Sequence, residues 1–255
     1  MKKPSIYITR KLPEQLLAKY EEFFSFRMWP EEEYPVSRET LKQEIKQADG
    51  LLTMLTDVVN EELLAEANQL QVVANLAVGY DNIDTKAASR HGVVVTNTPD
   101  VLTETTADLT FGLLLGTARR IVEAAAFVKQ GSWQNWSPFL LAGTDVYQKT
   151  IGIVGMGRIG EAVARRAKGF GMNIIYHNRT RKTETEHSLG AVYVNFDNLL
   201  EQSDYVVCLA PLTEQTERMF DAAAFRKMKQ TAIFINASRG KNVDEEALYQ
   251  ALINK

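Results

Sequence analysis

The apolar positions of the chain form two series of short segments, and each series predicts alternating strands and helices. In the first series, short β-branched runs alternate with longer stretches in which apolar residues recur at helical spacing. This alternation is typical of a parallel sheet covered by helices. The predicted strands of this series are residues 6–9, 24–28, 51–54, 72–76 and 93–96.

The predicted helices include two in this first series, at residues 13–23 and 37–48. The second begins at Ser37, a residue type that caps free backbone N–H groups. A long helix is then predicted over 103–129, closed by Gly131. Residues 132–149 form a predicted connector, which leads to a second series of strands at 150–154, 173–176, 205–209 and 232–236.

Length and composition limit the possible classes of protein. A chain of 255 residues fits two compact domains at roughly 100 to 200 residues each. The net charge of -3 gives no dense basic face, so nucleic acid is not an expected partner. A single cysteine, Cys208, allows no intramolecular disulfide or thiolate cluster, and no metal site is predicted. No apolar stretch approaches the ~18 residues of a membrane span, so we expect a cytoplasmic protein without a membrane partner.

A glycine-rich turn opens the second series of strands. Its pattern Gly-x-Gly-x-x-Gly follows the apolar residues 150–154 directly and precedes the helical pattern 159–170, as in a dinucleotide-binding site. The first glycine is expected to make the tight turn, the second to let the backbone approach a pyrophosphate, and the third to let helix and strand pack closely. The candidate cofactor-binding residues of this turn are Gly155, Met156, Gly157, Arg158, Ile159 and Gly160.

The end of the next predicted strand is where such a site distinguishes NAD from NADP. A site that prefers NAD places Asp or Glu about 20 residues beyond the turn to hold the ribose 2′-hydroxyl, and no carboxylate stands at this strand end. Arginine and hydroxyl side chains there can bind a 2′-phosphate, so NADP(H) is the predicted cofactor, with NAD(H) possible. The alternative is a solvated basic turn offset by Glu184 and Glu186. The candidates are Asn178, Arg179, Thr180 and Arg181, of which Arg179 is the first choice.

Three further motifs, with the glycine turn, carry a resemblance that covers nearly the whole chain. They are NLAVGYDNID at 75–84, VTNTP at 95–99 followed by TETTAD at 103–108, and INASRG at 235–240. Together they resemble the D-isomer-specific 2-hydroxyacid dehydrogenases, most closely the glyoxylate/hydroxypyruvate reductase branch. The resemblance implies an α/β fold of two Rossmann-like, doubly wound parallel-sheet domains. These would be a flavodoxin-like substrate domain, residues 1–98, and an NAD(P)-binding Rossmann domain, residues 99–255, with the active site in the cleft between them.

The resemblance also implies roles for single positions. Backbone N–H groups of Val78 and Gly79 would anchor the substrate carboxylate, because a glycine-containing turn can present amides to an anion. Arg239 would be the catalytic arginine that binds the 2-oxo acid and polarises its carbonyl; a surface ion pair is the alternative. Thr106 is equally well explained by its place in the first turn of a helix. The residues implied to border the nicotinamide or line the cofactor groove are Thr106, Ala210, Pro211, Ala237 and Ser238.

The sequence departs from the family pattern at its C-terminal end. Family members also use a histidine proton donor and a glutamate that pairs with it, and both would fall beyond Lys255. The chain is therefore expected to be truncated within its Rossmann domain, and its substrate domain to lack the C-terminal return helix. We interpret His91, His177 and His187 as structural or exposed residues. Turnover is expected to fall by the roughly 10² to 10⁴ that general acid-base catalysis supplies, while cofactor binding survives.

The sequence thus favours an oxidoreductase that reduces a small 2-oxo acid of glyoxylate or hydroxypyruvate type to the D-2-hydroxy acid with NADPH. One alternative is a dinucleotide-sensing binding protein resembling corepressors of this fold; another is an NAD-dependent D-2-hydroxyacid dehydrogenase. By the same resemblance a homodimer is expected, formed through the helix after Thr103 and the connector that contains Trp133 and Trp136. These tryptophans could equally pack against their own domain.

Overall fold

The computed structural model describes residues 2–254. It divides into two compact units, the first ending at Val101 and the second beginning at Leu102. The boundary expected from the sequence lies three residues earlier, between residues 98 and 99. Each unit contains one five-stranded sheet in which all the pairs are parallel. The predicted α/β fold with two parallel sheets is confirmed.

The sheet of the first unit has the order β2-β1-β3-β4-β5. Its buried core lies between strand residues such as Tyr7, Leu51 and Val73 and helix residues such as Ile45 and Leu63. The strands are β1 (Ser5–Ile8), β2 (Ser25–Met28), β3 (Gly50–Thr53), β4 (Val72–Asn75) and β5 (Val94–Thr96). The helices are α1 (Glu14–Ala18), α2 (Arg38–Ile45), α3 (Glu61–Ala65) and α4 (Thr85–Arg90).

The first predicted helix, over 13–23, is wrong in its extent. The helix α1 ends at Ala18 and contains no buried residue, and the chain continues through tight turns in which Tyr20 N–H donates to the Leu17 carbonyl at 2.8 Å. Short helices are held mainly by packing of an apolar face. Here Leu16 and Phe23 stay exposed, so nothing supports a longer helix.

The sheet of the second unit has the order β10-β9-β6-β7-β8. The short edge strand β8 was not predicted from the sequence, because a strand of two residues is too short to show an alternation of apolar and polar positions. The strands are β6 (Thr150–Val154), β7 (Asn173–His177), β8 (Val192–Tyr193), β9 (Tyr205–Cys208) and β10 (Ile233–Asn236). The helices are α5 (Thr103–Ala118), α6 (Ile121–Lys129), α7 (Arg158–Gly169), α8 (Thr183–Leu189), α9 (Phe196–Gln202), α10 (Ala222–Lys227) and α11 (Glu245–Ile253).

The long helix predicted over 103–129 is wrong, because the chain breaks it between α5 and α6. Arg120 adopts a left-handed conformation with φ 53°, and the Ala118 carbonyl accepts a hydrogen bond from Thr144 N–H at 2.7 Å. Gly143 packs so closely on this carbonyl that a Cβ there would lie 2.1 Å from its oxygen. A contact with the connector thus ends α5. The helical spacing of apolar residues gives no indication of such a contact. Across residues 2–254, no helix is both long enough and apolar enough to cross a membrane.

Candidate functional site

Four strands of the second unit end at the same level. The pairs His177–Val154, Val154–Cys208 and Cys208–Asn236 join the last residues of β7, β6, β9 and β10 in one row. Strand β6 lies at the centre, with β7 on one side and β9 on the other, so the chain order reverses there. Doubly wound sheets bind ligands at the carboxyl ends of their strands, at this switch point. The predicted cofactor residues of the second unit, except Thr106, follow the strands of this row.

The three glycines of the turn have different surroundings. Gly155 has φ 100°, and a Cβ there would lie 2.6 Å from the backbone nitrogen of Ala210. A Cβ on Gly160 would lie 2.3 Å from the Gly155 carbonyl oxygen. By contrast, a Cβ on Gly157 would have no atom within 4 Å. The turn is therefore closed by backbone on two sides and open at Gly157, where it forms a cradle that fits a dinucleotide pyrophosphate.

Helix α7 begins directly after this cradle. Gly157 precedes the helix without a side-chain cap, which leaves its first N–H groups to an external acceptor such as phosphate. The Met156 side chain is fully buried and Ile159 packs against the core, whereas Arg158 is exposed. Met156 and Ile159 can therefore serve a cofactor through their backbone.

The turn after β7 holds the candidates for the 2′-phosphate. Arg179 and Thr180 are exposed, and the Asn178 side-chain amide donates to the Thr180 carbonyl at 2.8 Å. Arg181 is engaged differently, because its guanidinium pairs with the Glu186 carboxylate through two contacts of 2.8 Å. The turn thus presents Arg179 and Thr180 to solvent and holds Arg181 against α8.

The segments that follow β9 and β10 are fastened to each other. The Ser238 hydroxyl donates to the Ala210 carbonyl, and Ser238 N–H donates to the Asn236 side-chain oxygen at 3.0 Å. Ala237 N–H donates to the Cys208 carbonyl at 3.2 Å. Ala210 is buried, whereas Pro211 is exposed. Four of the predicted groove residues, Ala210, Pro211, Ala237 and Ser238, therefore lie together beside the glycine turn.

Arg239 is held through its backbone by two asparagines that were not predicted from the sequence. Asn236 donates from its side chain to the Arg239 carbonyl at 2.8 Å, and Arg239 N–H donates to the Asn242 side-chain oxygen at 3.2 Å. Asn242 is fully buried and also donates to the Thr216 carbonyl at 3.1 Å. A buried amide with both of its polar atoms satisfied fixes the backbone around it. The spacing of these residues around Arg239 is a signal that could have found them.

In the first unit, the loop after β4 presents two backbone amides. The Ala77 carbonyl accepts from Thr98 N–H at 2.9 Å, and the Val78 carbonyl accepts from the Asn97 side chain at 2.8 Å. No peptide bond in the described chain is cis, and in a trans peptide the N–H points opposite to the carbonyl. The N–H groups of Val78 and Gly79 therefore both point away from residues 97–98, as a pair that can bind one anion.

Thr106 and the three histidines lie outside the row of strand ends. Thr106 is in the first turn of α5, where its N–H donates to the Leu102 carbonyl at 2.9 Å and its carbonyl accepts from the Thr110 hydroxyl at 2.7 Å. A ring nitrogen of His91 lies 2.7 Å from Glu61, and one of His177 lies 3.1 Å from the Val194 carbonyl. His187 is exposed on α8.

Cys208 ends a fully buried strand, and burial raises the pKa of its thiol to about 11. It is therefore a thiol at neutral pH. Such a group lacks the thiolate that nucleophilic chemistry requires.

A doubly wound sheet with an open glycine cradle at its switch point defines a dinucleotide-binding protein of the Rossmann class. Comparison with known proteins defines the class further. The sequence model described as "D-isomer specific 2-hydroxyacid dehydrogenase, NAD binding domain" matches residues 111–255. The chain belongs to the D-isomer specific 2-hydroxyacid dehydrogenases, which are oxidoreductases that act on a CH–OH group with a nicotinamide dinucleotide.

Relatives and solved structures agree with this assignment. The chain is 51% identical over 251 residues to a glyoxylate reductase of Korarchaeum cryptofilum, covering 98% of this chain and 75% of the relative. It is similar to the crystal structure of TT0316 protein from Thermus thermophilus, with a TM-score of 0.89 and 40% identity over 98% of this chain and 78% of that one. The crystal structure of a glyoxylate reductase from Paecilomyes thermophila aligns with a TM-score of 0.87 and 30% identity, covering 100% of this chain and 79% of that one. The predicted family and enzyme class are confirmed.

Proposed function

We propose that this protein reduces a small 2-oxo acid of glyoxylate or hydroxypyruvate type to the D-2-hydroxy acid, with NADPH as the preferred cofactor. The observation that carries the proposal is the pair of N–H groups at Val78 and Gly79, because neighbouring backbone donors can bind the carboxylate that every such substrate has. The names of the relatives as glyoxylate reductases support the choice of substrate class.

Arg239 is the proposed catalytic residue. It is partly buried and follows β10, and its backbone is fixed by Asn236 and Asn242. The guanidinium donates to the Ser238 carbonyl at 3.3 Å. It can also bind the substrate by charge-assisted hydrogen bonds and stabilise negative charge that develops on the carbonyl oxygen. When bound, the reduced nicotinamide would supply the hydride to the carbonyl carbon, and the carbonyl oxygen would take a proton from water. In the first unit, the amides of Val78 and Gly79 would hold the carboxylate.

The preference for NADPH rests on the turn after β7. Arg179 and Thr180 are exposed there, and the strand end carries no carboxylate that would accept a bond from a ribose 2′-hydroxyl. An arginine can bind a 2′-phosphate through two hydrogen bonds. NAD(H) lacks that phosphate and would lose these bonds, although the pyrophosphate cradle would serve both cofactors.

We also propose a homodimer, formed through α6 and the connector that follows it. No residue of α6 is buried, although the helix contains Ile121, Val122 and Val128. The connector exposes Trp133, Trp136 and Phe139, the last with 87% of its surface accessible. A group of exposed large apolar side chains of this kind is typical of a protein interface. Self-association would cover it without another partner.

The central test measures binding and turnover together. NADPH oxidation is followed with glyoxylate, with hydroxypyruvate and with no acid, and the amide resonance of Gly79 is followed by NMR as glyoxylate is added to the NADP⁺ complex. We expect turnover with at least one acid and a saturable shift of Gly79. Arg239→Ala should lower kcat/KM by about 10² or more, while the exposed control Arg226→Ala should change it less than about twofold.

Two outcomes would contradict the proposal. No turnover and no Gly79 shift with any 2-oxo acid would reject the substrate class. Dinucleotide binding without either response, together with specific association with another protein, would instead favour a dinucleotide-sensing binding protein.

A further inference from the structure

Arg181 and Glu186 form a fork-shaped ion pair beside the proposed 2′-phosphate site. Nε of Arg181 lies 2.8 Å from Oε1 of Glu186, and Nη2 lies 2.8 Å from Oε2. The pair occupies one whole edge of the guanidinium, the same edge that would bind a phosphate with two parallel bonds. Arg181 lies two residues after Arg179 in the same turn. A phosphate that used this edge of Arg181 would therefore have to displace the carboxylate, and one that used the Nη1–Nη2 edge would meet a guanidinium whose charge Glu186 already neutralises.

The Glu186 carboxylate is itself held in place. The Tyr176 hydroxyl donates to Oε1 at 2.8 Å and accepts from Lys182 N–H at 2.6 Å. Tyr176 is fully buried in the sheet, so its ring is a fixed support. The side chain of Glu186 is only 14% exposed, against 65% for Arg181. The carboxylate is therefore the anchored partner, and the arginine is the one that solvent can reach.

The carboxylate also stays charged over a wide range of pH. The hydrogen bonds from Arg181 and Tyr176 lower the pKa of Glu186 to about 2. At neutral pH it neutralises Arg181. Through Arg181, its effect on a bound 2′-phosphate is therefore opposite to that of Arg179.

We propose that Glu186 is a specificity-determining residue of the cofactor site: by holding Arg181 it keeps a second arginine from the 2′-phosphate and limits the preference for NADP(H) over NAD(H). The inference rests on the proposed binding of a 2′-phosphate by Arg179. It accounts for three basic residues in one turn, Arg179, Arg181 and Lys182, without requiring each of them to contact the cofactor. Glu186 acts through Arg181 and touches no part of the cofactor.

The test compares two probes that differ in the 2′-phosphate alone, adenosine 2′,5′-bisphosphate and AMP, by calorimetric titration of the whole chain. Glu186→Gln keeps the shape and a hydrogen-bond acceptor for Tyr176 but removes the charge. We expect it to bind the bisphosphate about three- to tenfold more tightly, the gain of a charge-assisted contact, and AMP equally well. Glu184→Gln is the matched control, because Glu184 is an exposed carboxylate on the same helix. Its gain in the logarithm of the affinity for the bisphosphate should be less than half that of Glu186→Gln.

A double variant separates the role of Arg181 from a general change in charge. The double variant Arg181→Ala/Glu186→Gln should bind the bisphosphate no more tightly than Arg181→Ala alone. If Glu186→Gln does not fold, as judged by circular dichroism, Tyr176→Phe takes its place, because it removes the hydroxyl that anchors the carboxylate.

The possible failures can be told apart. If wild type binds the bisphosphate no better than AMP, the proposed NADP(H) site is wrong. The same holds if Arg179→Ala leaves the difference in affinity between the two probes unchanged. If wild type and Arg179→Ala behave as proposed but the Glu186 variant shows no gain, or if the gain persists without Arg181, the inference about Glu186 alone is overturned.

Discussion

The side-chain amide of Asn75 donates a hydrogen bond to the Gly79 carbonyl across 2.8 Å, and this bond joins a buried strand end to the loop of the proposed carboxylate anchor. The other end of the same amide accepts from the Thr53 hydroxyl at 2.9 Å. Asn82 lies 3.2 Å from the Asn75 nitrogen and donates to the Met54 and Asp57 carbonyls. The loop is thus attached to two neighbouring strands through side chains rather than through the sheet.

Replacement of Asn75 by Ala should destabilise the first unit. The change leaves the Gly79 carbonyl and the buried Thr53 hydroxyl without these partners, a cost of about 1 to 3 kcal/mol in the free energy of unfolding. Urea denaturation measures it. The exposed amide Asn68, bonded to the Lys46 carbonyl, gives the control: Asn68→Ala should cost less than about 0.5 kcal/mol. Equal effects of the two changes would show that the network does not stabilise the loop.

Gly155 and Gly157 should respond differently to Ala. At Gly155 the new Cβ would meet the backbone of residues 209–210 at 2.6 Å, in a conformation with φ 100° that alanine rarely adopts. We expect Gly155→Ala to lower the Tm and to abolish dinucleotide binding.

Gly157→Ala places its Cβ in open space, so the Tm should stay near that of wild type while NADPH affinity falls by about tenfold or more, because the methyl group occupies the cradle. Fluorescence titration with NADPH measures the affinity. Gly169→Ala, which also meets no atom within 4 Å but lies at the far end of α7, should leave affinity unchanged. NADPH affinity retained in Gly157→Ala would contradict the assignment of the cradle.

Glu186 predicts an acid-sensitive contribution to stability. Its pKa lies at about 2 in the folded protein and near 4.5 as the ordinary value, so the folded state favours the charged form. The contribution of the charged Glu186 to the free energy of unfolding is present above about pH 5 and is lost as the pH falls toward 2. The loss of unfolding free energy between pH 6 and pH 3 should therefore be smaller in Glu186→Gln than in wild type. Urea titrations at both pH values measure it, and an unchanged loss would show that the ion pair does not persist in solution.

The exposed apolar face of α6 predicts self-association. Val122 is 79% exposed, and Val122→Glu would place a charge inside the proposed interface. We expect wild type to sediment as a dimer at micromolar concentration and Val122→Glu as a monomer with unchanged secondary structure. Leu16→Glu, at another exposed apolar position, should leave the dimer intact. A monomeric wild type would reject the proposed interface.

Local patterns in the sequence predicted most of the fold and the place of the cofactor site. The strands and the glycine turn depend on neighbouring residues, so their signals survive in a single sequence. The break at Arg120 was missed because its cause, the contact of Thr144 and Gly143 with Ala118, comes from residues far along the chain.

The supports of the site were harder to predict than its ligand-facing residues. Asn75 and Asn97 act on the 78–79 loop through contacts that form only in the fold, so the sequence motifs that contain them do not reveal which group each side chain binds. Arg181 was predicted as a phosphate ligand from its charge and its place in the turn, with Glu184 and Glu186 as acids that could offset the turn. Its pairing with Glu186 depends on how α8 lies against the end of the strand.

The common level at which β6, β7, β9 and β10 end has an evolutionary consequence. Because the last residues of these strands are in register, an insertion within any one of them would displace its functional segment relative to the other three. Insertions or substitutions after the row change one segment and leave its neighbours in place. The cofactor preference can therefore be altered by exchange of a few residues after β7, without displacing the segments that follow β6, β9 and β10.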